Sequence, residues 1–288
     1  MTQAAYLIDA SIPIFRYYFS MPDRWFSLEG NPTSAVYGYA HWLRNLLLKQ
    51  QPKYIAACFD ESLGTCFRNT IYEAYKQSRP PADEYLAFQF EACKEITRLM
   101  GVSVYASSTF EADDLIATIV SKNQRAGRQS IIVSRDKDLG QLLRGDDLLW
   151  NFPNDAPMGV KDIVLKFGVK PELIPDYLSL VGDPIDDVPG VPGVGRKTAA
   201  ILLNYFDSVE DLFDRIDRLP VLGVRGVATL TNNLIEYKEQ IEMAKKLVRL
   251  ELRADLGGRL SLTRKKLQLE ALNTRAKELG FMFKNSRF

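Results

Sequence analysis

Three short apolar runs in this chain each lead into aspartate residues, and helical patterns separate the runs. The runs and their acids are residues 5–8 before Asp9, residues 54–59 before Asp60, and residues 130–133 before Asp136 and Asp138. Apolar runs that alternate with helical patterns predict an α/β fold with a central sheet. Ligands of open α/β sheets bind outside the carboxyl ends of the strands, so we expect these carboxylates to meet in one crevice. Any one of them alone is explained equally well as a loop starter or a helix cap.

A predicted helix over residues 110–120 opens with three more acids. Glu111, Asp113 and Asp114 lie in its first turn, where Glu111 and Asp114 share a face because they are three residues apart. The positive end of the helix dipole favours acids in a first turn, which is the alternative explanation. One or two acids would satisfy the dipole, however, whereas three add repulsion.

Together with two later acids, these residues predict a site for divalent metal ions. The nine acids are Asp9, Asp60, Glu111, Asp113, Asp114, Asp136, Asp138, Asp183 and Asp186. Two like charges ~4 Å apart at an effective dielectric of about 20 repel by about 4 kcal/mol, so such a cluster stays ionised only around cations. Oxygen ligands favour Mg²⁺ or Mn²⁺.

Composition argues against several other classes of protein. The 288 residues are 46% apolar, which is enough for one large domain or a core plus a smaller module. Three cysteines without a C-x-x-C pair argue against a disulfide framework and favour the cytoplasm. His41 is the only histidine and lies in an apolar helical run, so we expect a packing residue rather than a zinc ligand or a catalytic base. We find no export signal and no apolar stretch of the ~18 residues that a membrane span needs, so we expect no membrane association.

Charge is distributed unevenly, although the net charge is only +1. From residue 259 onward only Glu270 and Glu278 oppose a set of basic residues, which are Arg259, Arg264, Lys265, Lys266, Arg275, Lys277, Lys284 and Arg287. A basic segment suggests a nucleic-acid surface, and a solvated helix face is the alternative.

The glycine- and proline-rich stretch of residues 182–203 is the most specific string in the chain. It is not a P-loop, because Arg196 separates Gly195 from Lys197 and no apolar strand precedes it. We interpret it as a helix-hairpin-helix with a first helix over residues 174–181, a hairpin over 191–195 and a second helix over 197–206. Gly193, Gly195 and Lys197 would then hold a sugar-phosphate backbone without reading bases. A turn between two packed helices is the alternative.

Basic and aromatic residues alternate in the segment of residues 65–81. The basic residues are Arg68, Lys76 and Arg79, and the aromatic ones are Phe67, Tyr72 and Tyr75. This combination is suited to holding a single strand by its phosphates while bases stack on rings. Aromatic residues at helical spacing are as often part of a core.

Taken together, these motifs resemble the 5′-nuclease (flap endonuclease) family, most closely the 5′→3′ exonuclease domain of bacterial DNA polymerase I and its stand-alone relatives. The resemblance rests on Leu7-Ile-Asp9, Phe67-Arg68, Tyr75-Lys76-x-x-Arg79, Glu111-Ala-Asp-Asp114, Asp136-Lys-Asp138, Gly182-Asp183-x-x-Asp186 and Pro189-Gly-Val-Pro-Gly-Val-Gly195. It implies a PIN-like α/β sheet with flanking helices, a helical arch or clamp, and a helix-hairpin-helix module. We divide the chain into a nuclease core over residues 1–170, with an arch region at 62–92, and a module with a C-terminal helical segment over 171–288 that packs back on the core.

The resemblance also implies roles for individual residues. Asp9, Asp60, Glu111, Asp113 and Asp136 would bind a first metal ion, and Asp138, Asp183 and Asp186 a second, with Asp114 in support. Lys76 and Arg79 would touch the scissile phosphate, Arg16 and Arg68 would hold the strand, and Tyr75 would contact DNA beside them. Asp187 departs from the family, which usually has Asn there, and adds negative charge beside the second metal. A K⁺ ion at the helix-hairpin-helix is a further expectation.

The function that we predict is hydrolysis of DNA by a two-metal mechanism, with Lys76, Arg79 and Asp136 in the catalytic set and products that carry a 5′-phosphate. The expected partner is DNA with a 5′ flap, a 5′ end or a nick, bound by a monomer. The chain stops at Phe288 without a polymerase portion, so we expect a stand-alone nuclease or a fragment. A non-catalytic module that recognises branched DNA is the alternative, although it would require a gap in the acidic set. An aspartyl-nucleophile phosphatase would require D-x-D where this chain has Asp9-Ala-Ser11.

Overall fold

A computed structural model describes residues 3–62, 64–79 and 83–283, and a parallel sheet lies at its centre. The strands are β1 (Ala5–Asp9), β2 (Tyr54–Asp60), β3 (Ser103–Ser107), β4 (Ser130–Val133) and β5 (Leu148–Leu149). Their order across the sheet is β3-β2-β1-β4-β5, and every neighbouring pair is parallel. The predicted α/β class is confirmed, and so are the three predicted strands.

Helices cover both faces of the sheet and continue into a second, helical part of the chain. In the described residues they are α1 (Ser11–Ser20), α2 (Ser34–Gln50), α3 (Arg68–Ile71), α4 (Glu84–Leu99), α5 (Ala112–Arg125), α6 (Val160–Phe167), α7 (Ile174–Val181), α8 (Arg196–Tyr205), α9 (Val209–Asp214), α10 (Val227–Glu236), α11 (Lys238–Val248) and α12 (Leu269–Glu278). Short 3₁₀ segments lie at Asp138–Leu142, Pro171–Leu173 and Ile216–Leu222. None of these helices has the length and apolar character needed to cross a membrane.

Alternating residues of β1 divide the core into two layers. Leu7 faces a layer that contains α5 and continues through Leu180 of α7 and Leu202 of α8 into the helical part. Ile8 faces the other layer, which contains α1, α2, α4 and α12. Side chains of a strand point alternately to its two faces, and a parallel sheet buried on both faces needs apolar residues at nearly every position. The continuous first layer places the helical part directly against the sheet.

The C-terminal residues run along the edge of the core. The backbone N–H of Ile55 donates to Leu262 O at 2.7 Å, and that of Lys265 donates to Gly101 O at 2.8 Å. Gly101 has φ of +81°, and a Cβ there would lie 2.2 Å from Lys265 O, so only glycine fits this crossing. Two of the basic C-terminal residues, Lys284 and Arg287, lie outside the described residues.

Four local predictions can be compared with the structure. The first hairpin helix has the predicted bounds, whereas the second begins one residue earlier, at Arg196. The helix expected from residue 110 begins at Ala112, because Glu111 lies at its N-cap. The arch region contains α3, a series of turns and the start of α4, and its residues 63 and 80–82 lie outside the described residues. His41 packs in α2 against Tyr37, with ring centres 4.4 Å apart.

Candidate active site

Asp9 and Asp60 lie at the carboxyl ends of two neighbouring strands, and each is held by hydrogen bonds. Ser134 Oγ, just beyond β4, donates to Asp9 Oδ2 at 2.8 Å. Ser11 Oγ donates to Asp60 Oδ2 at 2.8 Å, and the backbone N–H of Ala112 donates to Asp60 Oδ1 at 2.7 Å. The first turn of α5 is thereby fixed to the edge of the sheet, which brings its acids beside the strand ends.

The turn after β4 contributes two more carboxylates. The backbone N–H of Asp136 donates to Ser134 Oγ at 3.0 Å, and that of Asp138 donates to Asp136 Oδ1 at 2.9 Å. Ser134 therefore links Asp9 to this turn. Sequence analysis did not identify Ser11 and Ser134, and the signal available was the spacing Asp9-x-Ser11 and Ser134-x-Asp136.

Asp183 and Asp186 reach the same place from the loop between α7 and the hairpin. Reciprocal backbone hydrogen bonds of 2.9 Å between Asp183 and Val188 close this loop. Five separate chain segments then line one cleft, which we call the carboxylate cleft. Residues 247–250 contribute apolar side chains, and the other four segments contribute the polar lining, which is Arg68, Tyr75, Lys76, Glu111, Asp113, Asp136, Asp138, Gln141, Asp183 and Asp186. Glu111 and Asp186, which are 75 residues apart in the sequence, thus line the same cleft.

Burial and mutual repulsion raise the pKa values of six aspartates at the site, which are Asp9, Asp60, Asp113, Asp136, Asp138 and Asp183. Burial, then Asp60 and Asp136, raise the pKa of Asp9 to about 7. Burial, then Asp136, Asp183 and Asp186, raise the pKa of Asp138 to about 8. The pKa of Asp113 lies well above its ordinary value for the same reasons, burial first and then Asp136. Without cations, the cluster therefore retains protons that ordinary aspartates lose.

Glu111 differs from its neighbours because two cations lie beside it. Although burial acts in the opposite direction, Lys76 and Arg68 hold the pKa of Glu111 below its ordinary value. Lys76 Nζ contacts Glu111 Oε1 and lies 3.4 Å from Asp186 Oδ2, and Arg79 pairs with Asp186 Oδ1. Lys76 and Arg79 therefore lie at the mouth of the cleft and already compensate part of its charge.

The chemistry of the donors fits hard divalent cations. All the acids of the cleft offer oxygen, and the raised pKa values of Asp113, Asp136, Asp138 and Asp183 mean that a cation would relieve repulsion as it displaced protons. In residues 3–62, 64–79 and 83–283, no three acidic side chains already converge as a coordination shell requires. Glu111 and Asp186 are paired with Lys76 and Arg79 instead, so ion binding would require these pairs to open.

Two of the expected DNA contacts, Arg68 and Tyr75, are buried in this structure, and so is Asp114, for which we expected a supporting role at the metal site. Arg68 is 1% exposed, and its guanidinium is bidentate to Asp114, at 2.6 and 2.7 Å, so it cannot hold a strand. Asp114 is fully buried and is the counter-ion of Arg68. Tyr75 is 5% exposed and donates its hydroxyl to Glu111 Oε2 at 3.0 Å, so no base can stack on its ring.

Asp187 does not join the acidic cluster. Its Oδ2 accepts the backbone N–H of Ser78 at 2.8 Å, and this hydrogen bond holds the pKa of Asp187 below its ordinary value. The residue has φ of +57°, a left-handed conformation that Asp and Asn tolerate better than most residues. The carboxylate thus ties the loop of Asp183 to the segment of Lys76, and we find no contact through which it would add charge to the cleft.

The hairpin presents an exposed backbone next to buried anchors. Val191 and Val194 are buried, whereas Gly193, Gly195 and Lys197 are exposed. Gly193 has φ of +79°, which favours glycine, and Gly195 is the N-cap of α8. The first N–H groups of a helix lack partners within it, so this end of α8 can accept an anion. Arg16, in contrast, lies at a separate cleft, where its guanidinium donates to Asn151 Oδ1 at 3.0 Å.

Comparisons with known proteins agree on one family. Residues 4–168 match a family model described as 5′-3′ exonuclease, N-terminal resolvase-like domain, and residues 169–273 match 5′-3′ exonuclease, C-terminal SAM fold. The chain is 37% identical to a 5′-3′ exonuclease of Aquifex aeolicus over 87% of this chain and 83% of that protein. It is 34% identical to DNA polymerase I of Pseudomonas aeruginosa over 96% of this chain, but it spans only 30% of that polymerase.

Solved structures share the fold at low sequence identity. The T5 D15 protein co-crystallized with metal ions superposes with a TM-score of 0.70 at 18% identity, over 96% of this chain and 94% of that one. The catalytic core of Rad2 in complex with DNA substrate superposes with a TM-score of 0.63 at 15% identity, over 96% and 88%. This chain therefore shares its fold with both proteins.

Proposed function

Because the chain belongs to the 5′-3′ exonuclease family, we propose that it is a metal-dependent nuclease that cuts DNA at the junction between a duplex and a single 5′ strand. One observation carries this proposal. Glu111, Asp113, Asp136 and Asp138 of the core line the same cleft as Asp183 and Asp186 from the loop before the hairpin. Lys76 lines this cleft as well, and Arg79 pairs with Asp186 beside it. A duplex on the hairpin would thus lead directly to the carboxylates.

The carboxylates would hold two divalent cations, for which we propose Mg²⁺ or Mn²⁺. Asp9, Asp60, Glu111, Asp113 and Asp136 would hold one, and Asp138, Asp183 and Asp186 the other. Bound ions of this kind supply an activated water and stabilise charge on the attacking and leaving oxygens of a phosphodiester. The only histidine of the chain, His41, packs against Tyr37 in α2, so it is not available as a base at the cleft. A water activated by a metal ion does not need one.

Lys76 and Arg79 would act on the phosphate itself. Both cations now pair with Glu111 and Asp186, and once those carboxylates hold ions the two side chains are free to donate to the non-bridging oxygens of the scissile phosphate. Donors aimed at developing charge contribute typically about 10²–10³ in rate. We assign Lys76 the larger share, because its ammonium lies deeper in the cleft and is 18% exposed, against 41% for Arg79.

Preference for a junction would follow from two separate contacts. The hairpin around Gly193, Gly195 and Lys197 would bind duplex phosphates, with K⁺ as a candidate ion there, and the segment of Lys76 and Arg79 would accept the single strand. A substrate that engages both holds one phosphate at the cleft, and such proximity favours that bond over others. The form that we propose is a monomer that acts in the cytoplasm.

The test compares single-turnover rates on a 5′ flap, a 3′ flap and a single strand of one sequence, in Mg²⁺ and in chelator. We expect fast cleavage near the base of the 5′ flap, slow cleavage of the single strand, and none in chelator. Asp136→Asn serves as the control for a contaminating nuclease. Equal rates on all three substrates would refute junction specificity, and binding of the flap without cleavage would favour the branched-DNA-binding module.

A further inference from the structure

The last two residues of α11 and the six residues that follow it cross the floor of the carboxylate cleft. We call residues 247–254 the strap. Buried polar side chains of three other segments hold it through its backbone, and those side chains are Arg68, Asp114, Thr118 and Gln141. Side chains that are buried with their hydrogen bonds satisfied fix backbone geometry strongly, because breaking one contact leaves another group unpaired.

Arg68 contacts the strap on one side and Glu111 of the cleft on the other. On one side, its Nε donates to Leu247 O at 2.6 Å and its Nη2 donates to Arg249 O at 3.2 Å, so it seats the start of the strap. On the other side, its Nη1 donates to Glu111 Oε2 at 3.0 Å. The bidentate pair with Asp114 fixes the plane of the guanidinium between these two sets of partners.

The remaining contacts join the strap to both acid-bearing segments of the core. Asp114 Oδ1 accepts the backbone N–H of Glu251 at 2.9 Å, directly beside Asp113. Gln141 Oε1 accepts the N–H of Leu250 at 3.2 Å, and Gln141 Nε2 donates to Val248 O and to Asp138 O, each at 3.1 Å. A displacement of the strap would therefore be felt at Glu111, Asp113 and Asp138.

We infer that Arg68 is a positioning residue: it orients Glu111 and, by seating the strap, holds the acids of the core in register with the hairpin module. This inference rests on the proposed function of the cleft, and it replaces a DNA contact with an internal one. Partners that orient metal-binding carboxylates typically change metal affinity by about 10–100-fold when they are mutated. Arg68 has the contacts of such a partner.

The test uses Arg68→Lys, which keeps the charge but cannot make the planar fork. The matched control is Lys245→Met, which removes a buried ion pair of 2.7 Å with Asp176 inside the helical module. Mg²⁺ and Mn²⁺ affinity is measured by calorimetry without DNA, duplex affinity is measured against salt in Ca²⁺, and circular dichroism reports folding. For Arg68→Lys we expect metal affinity to fall by about 10-fold or more with an unchanged salt slope. Lys245→Met should leave metal affinity unchanged.

Several outcomes would overturn the inference. A salt slope lowered by about 0.9 would return Arg68 to phosphate binding. A folded Arg68→Lys variant with wild-type metal affinity would reduce the residue to a purely structural one. If Arg68→Lys does not fold, Gln141→Leu tests the strap alone, and wild-type metal affinity in that variant would equally refute the inference. Wild-type protein that binds metal but cuts no DNA would refute the proposed function, while the loss of metal affinity in Arg68→Lys would still support positioning.

Discussion

Replacing Asp138 by Asn should stabilise the metal-free protein, and increasingly so as the pH rises. Asp138 has a folded pKa of about 8, against an ordinary value of 3.8. Between these values the folded chain keeps a proton that the unfolded chain has lost. The stability that the raised pKa contributes is therefore fully present below pH 3.8 and is lost as the pH rises through 8. Asn cannot ionise, so the variant escapes this loss.

The magnitude follows from the size of the pKa difference. Each pKa unit corresponds to about 1.4 kcal/mol, so a difference of about 4 units sets an upper bound of about 6 kcal/mol at pH 8. Asp136 and Asp183 titrate together with Asp138, which spreads the effect over the group. We therefore expect Asp138→Asn to raise the free energy of unfolding by about 2–4 kcal/mol at pH 8 and by less than about 1 kcal/mol at pH 4.5.

The assay is urea unfolding in chelator at several pH values, repeated in saturating Mg²⁺. With Mg²⁺ the sign should reverse, because ions that bind only the folded state stabilise wild type more than a variant that lacks a ligand. Asp146→Asn, at an exposed position outside the cluster, is the matched control and should change little at any pH. A difference between Asp138→Asn and wild type that does not vary with pH in chelator would refute the argument from repulsion.

Three further predictions concern activity and DNA binding. Asp183→Ala should lower the single-turnover rate on a 5′ flap in Mg²⁺ by at least about 100-fold with an unchanged circular dichroism spectrum; a wild-type rate would remove Asp183 from the metal set. Lys197→Ala should lower the magnitude of the salt slope of duplex binding by about 0.9, equally for all sequences, and an unchanged slope would return the hairpin to a packed turn. Lys76→Ala should lower the cleavage rate by about 10²–10³ but barely change duplex affinity, which a binding assay in Ca²⁺ can separate.

Sequence was sufficient for the parts of the fold with a strong local signal. The strands that end in Asp9 and Asp60 combine apolar runs with a polar stop, and the hairpin has glycines that a turn requires. Two strands were not predicted. β3, with the sequence Ser-Val-Tyr-Ala-Ser, has alternating polarity but only five residues, and β5 has two. Their pairing is long-range, so no local pattern distinguishes them from loops.

The candidate site was predictable to the extent that acids repel one another. Acids that are gathered in one place stay ionised only with cations among them, whichever way the chain folds, so a metal site could be predicted without coordinates. Which of the acids are paired with basic side chains of the protein depends, in contrast, on tertiary contacts. Arg68 and Tyr75 have the composition of a DNA-binding segment, yet both are buried against Glu111. The sequence did contain one indication of this pairing. Three carboxylates in one helical turn repel one another, and a buried basic side chain can compensate that charge as well as a bound metal ion can.

The strap also bears on whether a fragment of this chain would be stable. The first family match ends at residue 168, yet Arg68, Asp114, Thr118 and Gln141 find their backbone partners at residues 247–254. A fragment cut at the boundary would leave several buried polar groups without partners, at about 1–3 kcal/mol each, against a typical total stability of about 5–15 kcal/mol. The two matched regions are thus distinct as patterns of sequence, but they share buried hydrogen bonds, and we expect a fragment that ends at residue 168 to be much less stable than the whole chain.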